Sequence, residues 1–160
     1  MPSGKVHARI DLFALILIAG CILYFRTDLT KLVGGDKLWT YVAAFVGAYL
    51  FGTFFMSPDL DLDRCRPSSN WGILRFLWYP YARIFKHRGL SHVPIFGTLT
   101  RVLYLLMVAG IVVLIVRFAF GLRVSLPALE RPDLGLVLAL GLGLCLSDLL
   151  HIAVDWLFRN

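Results

Sequence analysis

Four long apolar runs constrain the fold of this chain more than any other feature of its sequence. They extend over about residues 10–25, 38–56, 95–117 and 134–158, with polar connections between them. A helix needs about 20 mainly apolar residues to cross a bilayer, and a soluble domain of 160 residues does not carry several such runs. Since 59% of the residues are hydrophobic, we predict one all-α domain over residues 1–160, an integral membrane bundle of four transmembrane helices.

A segment of a different character, residues 71–86, lies between the second and third runs. It is too polar to span a bilayer, because basic and aromatic residues are mixed along it. These residues are Trp71, Arg75, Phe76, Trp78, Tyr79, Tyr81, Arg83, Phe85 and Lys86. Such a mixture is typical of the lipid headgroup level. We predict one interfacial amphipathic helix here, bent near Pro80 and in contact with membrane lipids.

Two of the runs carry small residues at every fourth position. These are Ala44, Ala48 and Gly52 in the second run, and Gly135, Ala139 and Gly143 in the fourth. Small residues at this spacing let another helix approach closely. The contact forms either within one bundle or between copies, so a homo-oligomer is one of two alternatives.

The chain is basic, with a formal net charge of +6. Its basic residues lie beside the apolar runs and among aromatics, an arrangement that favours anionic lipid headgroups over nucleic acid. If the N-terminus is cytoplasmic, ten of the 16 Lys and Arg residues lie on the cytoplasmic side. The positive-inside rule therefore predicts a plasma-membrane protein with both termini in the cytoplasm, and we expect no nucleic-acid partner.

This topology brings the side chains that bind metals to one end of the bundle. All four histidines lie there: His7 before the first run, His87 and His92 before the third, and His151 near the end of the fourth. Six of the ten acidic residues share that end, namely Asp11, Asp59, Asp61, Asp63, Asp148 and Asp155. Imidazole nitrogen and carboxylate oxygen are common ligands of Zn²⁺. Four separate segments therefore converge on one candidate metal site.

Local spacing supports a metal site. Asp148, His151 and Asp155 are three and four residues apart, so they share one helical face. A carboxylate within apolar sequence is costly unless a cation compensates its charge. We predict a divalent metal, zinc first, with manganese or magnesium as the alternatives. The candidate ligands are His7, Asp59, His87, His92, Asp148, His151 and Asp155.

Each candidate also has a structural interpretation. A histidine near a membrane end is often interfacial only, and His151 and Asp155 could form a hydrogen-bonded pair without metal. Asp61 and Asp63 are either solvated loop charges or partners that orient a histidine. It is the convergence of four segments that favours a shared metal site over these separate roles.

Several motifs resemble a bacterial family of metal-binding membrane proteins with cyanobacterial members. They are Met1 to His7, Ser57 to Asp61, Trp71 to Arg75 and His87 to His92, followed by Gly97, Thr98 and Arg101. That family is similar to the inner-membrane metal-dependent hydrolases of the YdjM type. Those share an early His, a Pro-Asp-x-Asp, a His-Arg-x-x-x-His and a late His-x-x-x-Asp.

The resemblance implies a place in the bacterial inner membrane and a ligand set. The implied ligands are His7, Asp59, His87 or His92, His151 and Asp155. Ala8 stands where an acidic residue is expected after the early histidine, so Asp11 either substitutes for it or that contact is absent. A weaker likeness to zinc-dependent phospholipases C supports phosphoester chemistry by analogy.

Three functions fit these observations. The first is a metal-dependent hydrolase, a phosphoesterase that acts on a lipid headgroup or another amphiphile at the cytoplasmic face. Its metal would lower the pKa of a water molecule to near 7, Arg88 would hold the phosphate, and Asp61 or Asp155 would act as the base. The second is a non-catalytic metal-binding membrane protein. The third is a structural or interaction subunit whose polar residues form a hydrogen-bonded network.

Overall fold

The computed structural model describes residues 4–62, 65–85, 92–121 and 132–158. Within these ranges the chain is helical and contains no strand. Two 3₁₀ helices, Pro58–Asp61 and Gly72–Trp78, accompany the α-helices. In chain order the α-helices of the described residues are α1 Gly4–Tyr24, α2 Arg26–Val33, α3 Gly35–Phe55, α4 Arg66–Asn70, α5 Tyr79–Ile84, α6 Phe96–Phe120 and α7 Leu134–Leu157.

Four of these helices, α1, α3, α6 and α7, are long and apolar enough to cross a membrane. They correspond to the four predicted runs, so the all-helical prediction with four such helices is confirmed. The first helix differs in its start, which is Gly4 rather than about residue 10. The reason is that His7 and Asp11 are buried inside the bundle. Polar residues that face the protein interior do not mark the end of a helix.

The polar connection between the first two runs contains more helix than its sequence suggests. Residues 26–33 form α2, and the chain then turns at Gly34 into α3. Gly34 has φ 87°, a left-handed conformation that glycine adopts without steric cost. The turn between α2 and α3 is therefore confined to one residue.

The close contact between α3 and α7 organises the bundle. A Cβ atom added at Gly143 would clash with the backbone carbonyl of Phe45 and lie 2.9 Å from the Ala48 Cβ. A Cβ atom added at Gly52 would overlap the Ser147 hydroxyl. The prediction that the small residues permit close helix packing is confirmed, and this contact lies within one chain.

Residues 71–85 do not form a single interfacial helix. They divide into the 3₁₀ helix Gly72–Trp78 and the short helix α5. Trp78 and Tyr81 are buried beside Tyr104 of α6, with the Trp78 and Tyr104 ring centroids 5.6 Å apart. Ile73, in contrast, is 87% exposed. The difference from the prediction arises because aromatic packing draws two of the rings inward.

The aromatic cluster supports the turn that carries the acidic motif. Trp78, Tyr81 and Tyr104 pack with Met56 and Leu60 in one buried cluster. Leu60 is the middle residue of the Asp59-Leu60-Asp61 sequence, and its side chain is fully buried. The cluster therefore fixes the backbone from which the two flanking carboxylates project.

Candidate metal centre

The turn after α3 presents two carboxylates to two different histidines. Ser57 caps the 3₁₀ helix by accepting a hydrogen bond from the Asp59 backbone N–H, and Pro58 occupies its first turn. Asp59 Oδ1 lies 3.4 Å from His151 Nε2 on α7. Asp61 Oδ2 lies 3.3 Å from His92 Nδ1, just before α6. One short motif thus contacts the ends of two long helices.

The beginning of α1 meets the end of α7 at Asp155. His7 Nε2 lies 3.2 Å from Asp155 Oδ1, and His151 Nε2 lies 3.8 Å from Asp155 Oδ2. The two imidazole rings stack with their centroids 4.0 Å apart and an interplanar angle of 19°. Both histidines are 4% exposed. The early start of α1 is what brings His7 into this contact.

Two groups of three side chains have the composition and spacing of a metal site. One consists of His7, His151 and Asp155, and the other of Asp59, His92 and Asp155. Within each group the donor atoms lie within 4.8 Å of one another. Asp155 belongs to both groups. The structure therefore brings together five of the residues that the sequence predicted as ligands.

The chemistry of these residues fits a divalent cation. Among the described residues, His7 Nδ1 is buried without a hydrogen-bond partner, which is costly. His7 Nε2 and His151 Nε2 lie 3.2 and 3.4 Å from the Asp155 and Asp59 carboxylates. Two imidazoles stacked at 4.0 Å would repel each other if both were protonated. Neutral imidazole, with a free lone pair, is the form that binds metals. A cation between the imidazole Nε2 atoms and the carboxylates would balance the carboxylate charge without protonating either ring.

The family comparison bears directly on this arrangement. The model of a family described as "Uncharacterized metal-binding protein (DUF2227)" matches residues 2–160. The chain belongs to this family. The prediction of a metal-binding protein is therefore confirmed at the level of the family's description.

Further comparisons add one relative. An uncharacterized protein of Aquifex aeolicus (strain VF5) is 54% identical over 57 residues, which is 36% of this chain. The match spans 40% of the length of that protein. No solved structure matches the chain.

Asp148 and Asp11 lie outside both donor groups. The Asp148 carboxylate accepts hydrogen bonds from the Thr98 hydroxyl and the Arg101 guanidinium, and Arg101 is fully buried. This ion pair balances the charge that the sequence interpretation assigned to a metal. Asp11 is buried one turn beyond His7, and its backbone carbonyl accepts a hydrogen bond of 2.9 Å from the Tyr49 hydroxyl.

Three of the predicted residues, Asp63, His87 and Arg88, lie outside the described residues. The ligand role of His87 and the phosphate-binding role of Arg88 stay predictions. Asp61 is described, and its side chain is fully buried against His92. That geometry matches the alternative in which a carboxylate orients a histidine.

Cys65 lies close to the acidic turn, but it caps a helix and does not belong to the candidate ligands. Its sulfur accepts a hydrogen bond from the Ser68 backbone N–H, as part of a reciprocal cap at the start of α4. Burial raises the pKa of the Cys65 thiol above its ordinary value. Metals bind the thiolate, so Cys65 belongs to the capping structure rather than to the donor set.

Sequence reasoning missed two contacts, one within the candidate metal centre and one beside it. Ser57 Oγ lies 3.4 Å from His151 Nδ1, which leaves the other ring nitrogen directed at the carboxylates. Arg101 compensates Asp148. A signal for the second contact existed, because a basic residue in an apolar run needs an acidic partner nearby. No sequence signal indicated the first.

Proposed function

We propose that this protein is a membrane-embedded, metal-dependent hydrolase of phosphoesters. The observation that carries the proposal is the pair of donor groups, one buried at its two histidines and one half-buried, that share Asp155. The proposed ligands are His7, Asp59, His92, His151 and Asp155. Asp148 is left out because Arg101 already balances its charge.

A shared carboxylate suggests two metal positions. Hydrolytic sites with two metals about 3.5–4 Å apart are common in phosphatases and nucleases. A divalent metal bound here would lower the pKa of a water molecule and so supply a nucleophile near neutral pH. Zinc suits the mixed imidazole and carboxylate set best, with manganese or magnesium as alternatives.

The residues around the donors would hold them in position. Asp61, 3.3 Å from His92 Nδ1, would fix the orientation of that imidazole. Ser57 would do the same for His151 through its Nδ1 atom. In this proposal Asp61 is a positioning residue rather than a base. Both oxygens of Asp155 face histidines, which favours a ligand role for it as well.

The proposed location is the inner membrane, with the donor groups at the cytoplasmic end. The outward side chains of the long helices support insertion, since Ile16 on α1 and Phe118 on α6 are 67% and 81% exposed. We also propose kinship with the YdjM-type hydrolases. Its support is that the early histidine, the Pro-Asp-x-Asp motif and the late His-x-x-x-Asp motif converge in space.

The experiment is a hydrolysis assay on the full chain in a detergent without phosphate. The purified protein is loaded with zinc or manganese, freed of excess metal and given bis(p-nitrophenyl) phosphate or micellar phosphatidic acid. We expect metal-dependent hydrolysis that Asp155→Asn abolishes and Asp133→Asn retains. Asp133 is a matched control because it is the capping carboxylate at the other end of α7. Metal bound without turnover of either substrate would contradict catalysis and favour the non-catalytic metal-binding function.

A further inference from the structure

A small cavity opens beside the candidate metal ligands. Its volume is about 20 Å³, which is room for one molecule the size of water. Its lining includes the candidate ligands His7, Asp59 and His151, together with Arg66 and Asn70. The cavity is therefore the place where a small polar group can reach the donor set, and an arginine borders it.

The element that carries Arg66 is fixed to the rest of the bundle. Asn70 Nδ2 donates to the Phe54 carbonyl and Trp71 Nε1 donates to the Phe55 carbonyl, each at 2.8 Å. These bonds satisfy two carbonyls at the end of α3. The short helix α4 is thus held against α3, and the position of the Arg66 backbone beside the cavity follows from it.

The Arg66 side chain extends along the start of α1. A Cβ atom added at Gly4 would lie 3.4 Å from the Arg66 Cβ and 3.8 Å from its Cδ. The absence of a side chain at Gly4 leaves this space to the aliphatic part of the arginine. A large residue at position 4 would displace it.

Arg66 is an exposed residue, and its guanidinium carries a positive charge. Within the described parts of the chain, no carboxylate lies within ion-pair distance of it, whereas Arg101 pairs with Asp148. Guanidinium groups bind phosphate oxygens through parallel hydrogen bonds. The donor groups beside it are the place where the proposed hydrolysis would occur.

We infer that Arg66 forms an oxyanion subsite beside the candidate metal centre, one that binds a phosphoryl group. The inference deepens the proposed function and rests on it for the identity of the group as part of a substrate. With about 20 Å³ available, the cavity admits one phosphoryl oxygen, and the rest of the phosphoryl group and of the molecule lies outside it. A free phosphate and a lipid phosphomonoester share this chemistry.

Phosphate binding tests the subsite without relying on catalysis. Inorganic phosphate is titrated calorimetrically into the metal-loaded full chain in a detergent without phosphate, for the wild type, Arg66→Gln and Arg83→Gln. Arg83 is a matched control, because it is an exposed arginine that donates to the Tyr79 hydroxyl and does not line the cavity. We expect Arg66→Gln to weaken phosphate binding about 10- to 100-fold at unchanged metal content, and Arg83→Gln to have no effect.

A second variant covers the case in which Arg66→Gln does not fold. Gly4→Leu keeps the arginine but occupies the space of its stem, and it should weaken phosphate binding in the same direction. A parallel titration with micellar phosphatidic acid separates the two sources: tighter binding of the lipid identifies a headgroup, and equal binding identifies free phosphate.

Different results would contradict the phosphate subsite and the proposed hydrolase function. Phosphate binding that depends on Arg66, in a protein that hydrolyses no phosphoester, leaves the subsite standing and removes the hydrolase. Phosphate binding that is equally tight in the wild type and Arg66→Gln, or absent from the metal-loaded wild type, overturns the subsite.

Discussion

Two aspartates on α7 have nearly the same sequence context and opposite environments. Asp148 and Asp155 are seven residues apart, so they lie on one face of the helix, two turns from each other. Asp148 accepts hydrogen bonds from Arg101 and Thr98. Asp155 faces His7 and His151. Asp148 has a permanent cation within the protein, whereas the ion-pair partners of Asp155 among the described residues are two histidines, which can be neutral.

This difference distinguishes a carboxylate that is already paired inside the protein from carboxylates that are available to bind a cation. The Arg101–Asp148 pair joins α6 to α7 inside the bundle, and it needs nothing from outside. Asp155 and its neighbours instead form a set of carboxylates and imidazoles. An external cation would balance the negative charge of this set. The comparison teaches that an acid within apolar sequence is a candidate metal ligand only where no fixed cation lies beside it.

The largest effect should come from breaking the Arg101–Asp148 pair. Arg101→Met leaves a buried carboxylate without its cation, and removal of one partner of such a pair costs about 3–5 kcal/mol of folding free energy. Thermal unfolding in detergent should show a large decrease in Tm. Metal content per folded protein should stay the same, because Asp148 is outside the donor groups.

The double variant Arg101→Met with Asp148→Leu is the control for this prediction. It removes both charges, so it should recover most of the lost stability. A double variant no more stable than Arg101→Met would contradict the role of the pair.

The next effect concerns the two donor groups separately. His7→Ala removes a donor from one group and His92→Ala from the other. Each variant should weaken one metal position by at least about 100-fold, more than the 10- to 100-fold typical of supporting residues, and leave the other occupied. Competition with a chromophoric chelator measures both positions. Loss of both metals in each variant would show one joint site instead.

A smaller effect is expected from the residue that orients His92. Asp61→Asn retains the size of the side chain and removes its charge, so metal affinity should decrease about 10- to 100-fold. Asp28→Asn serves as the control, since Asp28 forms an exposed ion pair with Lys31 far from the donors. Equal metal affinities in the two variants would leave Asp61 without a positioning role.

The smallest effect should occur at the other end of α7, where Asp133 caps the helix. Hydrogen bonds from the Tyr41 hydroxyl and from Lys37 hold the pKa of Asp133 below its ordinary value. The carboxylate therefore stabilises the fold above the ordinary pKa, and this contribution is lost as the pH falls through the lower, folded-state pKa. Exposed pairs contribute little, so the Tm change should be slight.

Tm measurements between about pH 5 and pH 2 test this prediction. The wild type should lose a small part of its stability over that range, and Asp133→Asn should lose less. An identical pH dependence in both proteins would show that the capping charge has no effect on folding.

Much of the architecture followed from the sequence because hydropathy, residue spacing and side-chain size determine it. The four long helices and the small-residue contact of Gly52 and Gly143 were predicted from spacing and side-chain size. The i, i+4 spacing of His151 and Asp155 likewise placed both on one helical face. These are local properties, and a helix expresses them wherever it packs.

The remainder depended on contacts between distant parts of the chain. Asp148 and Asp155 could not be told apart by sequence, because the cation of Asp148 comes from Arg101, 47 residues away. Trp78 and Tyr81 turned inward because Tyr104 of α6 lies beside them. The start of α1 at Gly4, before the apolar run, likewise involves distant contacts, because His7 packs against His151 and Asp155 of α7.

Metal content tests the central claim most directly. Elemental analysis of the folded, detergent-purified wild type and Asp155→Asn, each supplied with zinc and manganese, should find two divalent ions per wild-type chain, one for each donor group. Asp155→Asn should lose both while circular dichroism shows the same helix content. A metal-free wild type, or an Asp155→Asn variant that retains both ions, would contradict a metal centre built around this shared carboxylate.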